Sequence, residues 1–132
     1  MRINALDHVN IIVPDLEAAV RFYTSLLSLV RRDAPPPLQP REAAWMCDGE
    51  GRPIIHLNSL DCARVYDRNL TPAPTGALHH IALNCTGYDE MIERVKNHGL
   101  DYGTNQQDSI GLRQIFFFDP HHVLLELNFL NG

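Results

Sequence analysis

The sequence predicts an α+β protein in which one small unit occurs twice. Three observations carry this. Short β-branched or apolar runs of strand length alternate with two amphipathic runs of helix length. The order strand, helix, hairpin is met in the first half and again in the second. An offset of 72 residues places His8 on His80 without a gap, and it carries Val20 onto Ile92 and Tyr23 onto Val95, apolar stripe onto apolar stripe. Two units that each leave a sheet face unburied fit one shared core. The length of 132 residues suits a single domain over 1–132.

The elements follow in order. HVNIIV (8–13) is short and β-branched, which suits a strand, and Pro14 stops its ladder. Asp15 is an N-cap for LEAAVRFYTSLLSL (16–29), where Leu16, Ala19, Val20, Tyr23, Leu26 and Leu27 form one helical stripe. Arg31 and Arg32 are expected at that helix's end, where cations complement the dipole. APPPLQP (34–40) is a stiff loop, and REAAWMCDG (41–49) with RPIIHLNS (52–59) reads as a hairpin around Gly49–Gly51. Module one is thus 1–58. Residues 59–76 lack a period, contain TPAPTG and form a connector; module two is 77–132. It runs HHIALNC (79–85) as a strand, YDEMIERVKNHG (88–99) as a helix closed by Gly99, then GLRQIFFFD (111–119) and HVLLELNF (122–129) as a hairpin around Asp119–His121.

Composition excludes several classes. Hydrophobic residues at 45% are ordinary for a globular chain and exclude disorder. A net charge of −5 with scattered basic residues argues against nucleic acid as partner. No run approaches the ~20 apolar residues of a membrane span, and the opening MRINALDHVN has no apolar h-region, so a cytoplasmic protein is expected. Cys47, Cys62 and Cys85 are odd in number and lack CxxC spacing, which points to buried free thiols.

The chemistry concentrates at four equivalent places. His8 and His80 open the first strands of the two halves; an offset of 70 carries His56, on the last strand of module one, onto Glu126, on the last strand of module two. Strand alternation sends Val9, Ile11, Val13, Ile55, Leu57, Leu125, Leu127 and Phe129 toward the helices, and His8, Asn10, His56, Asn58, His80, Glu126 and Asn128 to the other face. His79, by the same rule, is expected to face away from His80. Imidazoles and one carboxylate meeting from four strands are a first-row metal site in chemical terms, and a divalent cation would offset the cost of burying Glu126 in LLELNF. His56 reads either as a ligand or as a substrate contact. His121 and His122 suit a polar turn, and His98 a helix end.

LDHVNIIVPDLEAAVRFYTSLL resembles the opening of the vicinal oxygen chelate superfamily, and HHIALN with FFFDPHHVLLELNF resembles the start and end of its second module. The superfamily includes glyoxalase I, fosfomycin-resistance enzymes, extradiol dioxygenases and bleomycin-binding proteins. The resemblance implies two βαβββ modules, the glyoxalase/bleomycin resistance/dihydroxybiphenyl dioxygenase fold, paired into an open barrel-like sheet around a cavity. It implies a homodimer and a divalent metal (Fe, Mn, Ni, Zn or Co) on His8, His56, His80 and Glu126. Two positions depart from glutathione-dependent glyoxalase I: His56 stands where that enzyme usually has Glu, and Ile12 where it has Arg. Asn10 replaces the Thr usual in fosfomycin enzymes.

Three functions follow. With His56 as ligand, two coordination positions remain for vicinal oxygens of a small substrate, and a glyoxalase-like lyase or isomerase that stabilises an enediolate or oxyanion is expected, with Glu126 moving a proton. With His56 outside the coordination sphere, a third position admits O₂ and an extradiol ring-cleaving dioxygenase is expected. The third is a non-catalytic, bleomycin-resistance-like binding protein. Asn10, Trp45, Asn58, Arg113, Phe117 and Asn128 are expected to line the substrate cavity. Arg113 either grips a substrate carboxylate or phosphate or makes an ordinary surface ion pair, and Trp45 and Phe117 are either cavity walls or plain core.

Overall fold

The computed structural model describes residues 1–62 and 75–131, so most of the expected connector lies outside the described residues. The chain divides into two compact units, Met1–Pro72 and Ala73–Gly132. Each is a βαβββ module carrying its own four-stranded mixed sheet.

Unit 1 consists of β1 (Val9–Val13), α1 (Leu16–Leu27), β2 (Val30–Asp33), β3 (Ala43–Cys47) and β4 (Pro53–Ser59). Its sheet has the order β1-β4-β3-β2, with β1 parallel to β4 and the other pairs antiparallel. Asp15 starts α1 as expected: its Oδ1 accepts the Ala18 N–H at 3.0 Å. Ser28, at φ 58°, ends the helix. The stripe Leu16, Ala19, Val20, Tyr23 and Leu26 is buried, and α1 packs on β3 and β4. Register places Ile11, Leu57 and Ala44 in one line and Ile55 with Met46 in the next, all buried on the helix side. Each of these larger side chains contributes roughly 1.5–3 kcal/mol when fully buried.

Unit 2 consists of β5 (Ile81–Asn84), α2 (Tyr88–Asn97), β6 (Gly103–Gln107), β7 (Leu112–Phe118) and β8 (Leu124–Leu130), with a single 3₁₀ turn at Asp108–Ile110. The sheet order is β5-β8-β7-β6, with β5 parallel to β8. Met91 and Val95 are buried on α2, and Tyr88 meets Phe129 edge-on at 5.3 Å between ring centroids. Gly99 follows the helix at φ +65°. His98 caps it, its Nδ1 lying 2.8 Å from the Arg94 carbonyl. Cys47, Cys62 and Cys85 are free thiols. Among the described residues no helix is long and apolar enough to cross a membrane.

Two strands are not visible in the apolar pattern. β2 reads VRRD and β6 reads GTNQQ, the latter exposed throughout. Both are edge strands held by backbone pairing to one neighbour, β3 and β7. This corrects the reading of Arg31 and Arg32 as a helix end. They lie in β2, and alternation sends them to opposite faces. Arg31 reaches back to Glu17 at 2.9 Å and to the Pro40 carbonyl at 2.6 Å. Arg32 lies over Trp45.

Candidate functional site

In unit 1 the candidate residues fall on the sheet face opposite α1. Trp45 pairs in register with His56, and His56 with Asn10. His56 is sandwiched: its ring stacks on Trp45 at 4.2 Å and 9° and on His8 at 3.7 Å and 13°. Its Nε2 is buried and has no hydrogen-bond partner among the described residues. Burial holds the His56 imidazole below its ordinary pKa and His8's charge adds to this, against the opposing effects of Asp7 and the Pro53 carbonyl. His8 Nδ1 is held by Asp7 Oδ2 at 2.6 Å. Asn10 donates to Asn58 Oδ1 at 3.2 Å, and Asn58 donates to Cys62 Sγ at 3.4 Å, so both asparagines bond within the unit.

In unit 2 the equivalent face carries a continuous polar chain. His80 Nε2 lies 3.1 Å from Glu126 Oε2. Gln114 Nε2 donates to Glu126 Oε1 at 2.9 Å and to Asn128 Oδ1 at 2.8 Å. Gln114 Oε1 accepts from Asn105 at 2.7 Å. The half-buried Glu126 carboxylate thus has a partner on each oxygen, which answers its desolvation locally.

Three expectations need correction. Arg113 and Phe117 are not on the Glu126 face. Gln114 points to Glu126, so its odd-numbered neighbours on β7 point toward α2. Arg113 bonds Asp89 at 3.4 Å and lies 3.9 Å over the Tyr88 ring, both on α2. Phe117 is core, in register with Leu125, and Phe116 is the residue opposite Glu126. The third concerns His79, whose Nδ1 lies 3.0 Å from His80 Nδ1. β5 begins at Ile81, so strand alternation does not govern the two histidines. His121 lies in the turn closed by Asp119, whose Oδ1 accepts the backbone N–H of both His121 and Val123.

The structure therefore shows two pairs, His8 with His56 and His80 with Glu126, one in each unit. Among the described residues there is no cluster of three or more His, Cys, Asp or Glu side chains set to hold a metal ion. Sequence reasoning missed Gln114 and Asn105. Both lie in register with Asn128, and the only signal was a polar residue inside the otherwise apolar run LRQIFFF.

The family model for the Glyoxalase/Bleomycin resistance protein/Dioxygenase superfamily matches residues 5–127. The chain belongs to that superfamily. Solved structures similar to this superfamily member include a glyoxalase/dioxygenase from Nostoc punctiforme, with TM-score 0.73 and 20% identity, covering 95% of this chain and 90% of that one. The fosfomycin resistance protein FosX from Listeria monocytogenes has TM-score 0.67 and 21% identity, with 97% and 94% covered. Lactoylglutathione lyase from Agrobacterium tumefaciens has TM-score 0.70 and 16% identity, with 97% and 95% covered. At these identities the likeness is one of fold. Among curated proteins none matches the superfamily member's sequence.

Proposed function

We propose that this superfamily member is a metal-dependent enzyme. The ligands proposed for its divalent ion are His8, His56, His80 and Glu126. The reaction is a glyoxalase-like lyase or isomerase step on a small substrate bearing vicinal oxygens. One observation carries the reading: among the described residues His56 Nε2 is buried without a partner, at the position that the internal repeat equates with Glu126. A buried orphan nitrogen is costly, and a metal ion is a partner that removes the cost. The donor set of three imidazoles and one carboxylate suits Fe, Mn, Ni, Zn or Co.

Bound there, a divalent ion supplies Lewis acidity toward two adjacent substrate oxygens. The chain's residues do the rest. Asp7 and His79 each hold the Nδ1 of the histidine that follows, which turns Nε2 to ligation; His80 Nε2 meets Glu126 Oε2 at 3.1 Å, a contact the ion would replace. Glu126 is the proton carrier. Its Oε1 is fixed by Gln114 and its Oε2 pairs with His80, so Glu126 would leave the metal through Oε2 to take up a substrate proton and return it. The same proposal includes a homodimer in the cytoplasm, and light scattering tests the dimer.

Elemental analysis after loading with Fe, Mn, Ni, Zn and Co in turn tests the proposal. One ion per copy of the four ligands is expected, and His56→Ala, His80→Ala and Glu126→Gln should each weaken binding by at least about tenfold. A protein that stays empty with every ion overturns it and leaves a binding protein. A His56→Ala variant with full metal affinity, together with O₂ consumption on catechols, replaces it with a ring-cleaving dioxygenase.

A further inference from the structure

We propose that Arg32 is an anion receptor beside this site, so that the substrate carries a carboxylate or phosphate group in addition to its vicinal oxygens. The inference rests on the metal-enzyme reading for the place of those oxygens. Arg32, Trp45, His56 and Asn10 stand side by side in register across β2, β3, β4 and β1, on the face opposite α1. The Arg32 guanidinium carbon lies 5.6 Å from the Trp45 ring centroid. Trp45 stacks on His56, and His56 on His8. A row of neighbouring side chains therefore leads from a cation at the sheet edge to two candidate ligands.

The chemistry of Arg32 differs from that of its neighbour. Arg31 spends its donors on Glu17 and the Pro40 carbonyl, on the helix side. Arg32 is exposed, and its contact with Trp45 is to the ring face. It has no carboxylate partner among the described residues. A guanidinium over an indole face, 5.6 Å from the centroid, gains a cation–π attraction that uses none of its five N–H donors. A planar fork with free donors matches the oxygens of a carboxylate or phosphate, bidentate and charge-assisted. A cation on the same sheet face as the proposed ligands His8 and His56 also favours a substrate with more than one negative oxygen. Arg113, the other arginine weighed for this role, is tied to Asp89 and Tyr88 on the helix face.

Trp45 is the only tryptophan of the chain, so its fluorescence reports on this position alone. The test titrates Zn-loaded protein with 3-phosphoglycerate and with glycerate, which share a free 2-hydroxy acid and differ by the phosphate. Wild type should bind 3-phosphoglycerate at least about tenfold more tightly, the worth of one charge-assisted pair. Arg32→Gln should reduce that preference to about twofold or less with zinc affinity unchanged, and Arg32→Lys should restore part of it. A wild type without the preference, or an Arg32→Gln variant that keeps it, overturns the proposal. A parallel titration of metal-free protein with inorganic phosphate separates the two readings. Phosphate should change Trp45 emission in wild type and not in Arg32→Gln; this holds or fails whether or not zinc binds.

Discussion

Gln114 holds Glu126 in place: its side-chain N–H donates to Glu126 Oε1 across 2.9 Å. The amide orientation is fixed from both ends, because its oxygen accepts from Asn105 and its second N–H goes to Asn128. Gln114→Leu leaves three polar groups without a partner. It should cost about 1–3 kcal/mol of unfolding free energy and lower metal affinity by about 10–100-fold. Urea unfolding and a competition assay with a chelating dye measure the two effects. Full metal affinity in a folded Gln114→Leu variant would separate Glu126 from the metal.

His56 gives stability a pH dependence of definite sign. Its folded pKa lies below the ordinary 6.5, mainly through burial and then through the charge of His8. In the window just beneath 6.5 the unfolded ring takes up protons that the folded ring refuses. Stability therefore falls as pH drops through that window and is unaffected well above it. Metal-free wild type should lose more unfolding free energy than His56→Gln between about pH 7.5 and about pH 5.5. Equal losses in urea titrations would remove His56 as the cause.

The two neighbouring phenylalanines on β7 should part company. Phe117 is fully buried against the α2 side of its sheet, whereas Phe116 is half-buried opposite Glu126. Phe117→Ala should cost about 3–5 kcal/mol and Phe116→Ala less than half of that. A substrate titration should respond to Phe116→Ala. Comparable losses of stability from the two changes would contradict the assigned faces.

The thiols should be quiet in the native state. Cys47 and Cys62 are buried, and burial pushes the Cys85 thiol above its ordinary pKa. Iodoacetamide at about pH 8 should alkylate all three quickly in urea and slowly in native protein. Mass spectrometry of the time course reads this directly, and fast native labelling of Cys85 would contradict its placement.

Much of the architecture was legible without coordinates. Periodicity and alternation are local properties, so Leu16, Ala19, Val20, Tyr23 and Leu26 announced α1, and HVNIIV and PIIHLNS announced strands with His56 and Asn58 opposite the helix side. Asp15 and Gly99 marked helix ends through capping geometry that lies within one turn. The repeat equated His8 with His80 and His56 with Glu126. β2 and β6 were not legible, because VRRD and GTNQQ are made strands by the backbone of a neighbour and not by their own side chains.

The sequence by itself determined which residues share a face wherever a strand alternates, since the pleat has a period of two. Only the tertiary structure decided which polar group meets which. It tied Gln114 to Glu126 and Asn105, sandwiched His56 between His8 and Trp45, took Arg113 away to Asp89, and brought His79 onto His80 just before β5 begins. The pairings across the sheets, Gln114 with Glu126 and Asn105 and His56 with Trp45, depend on strand register, and one residue of slip would exchange those partners.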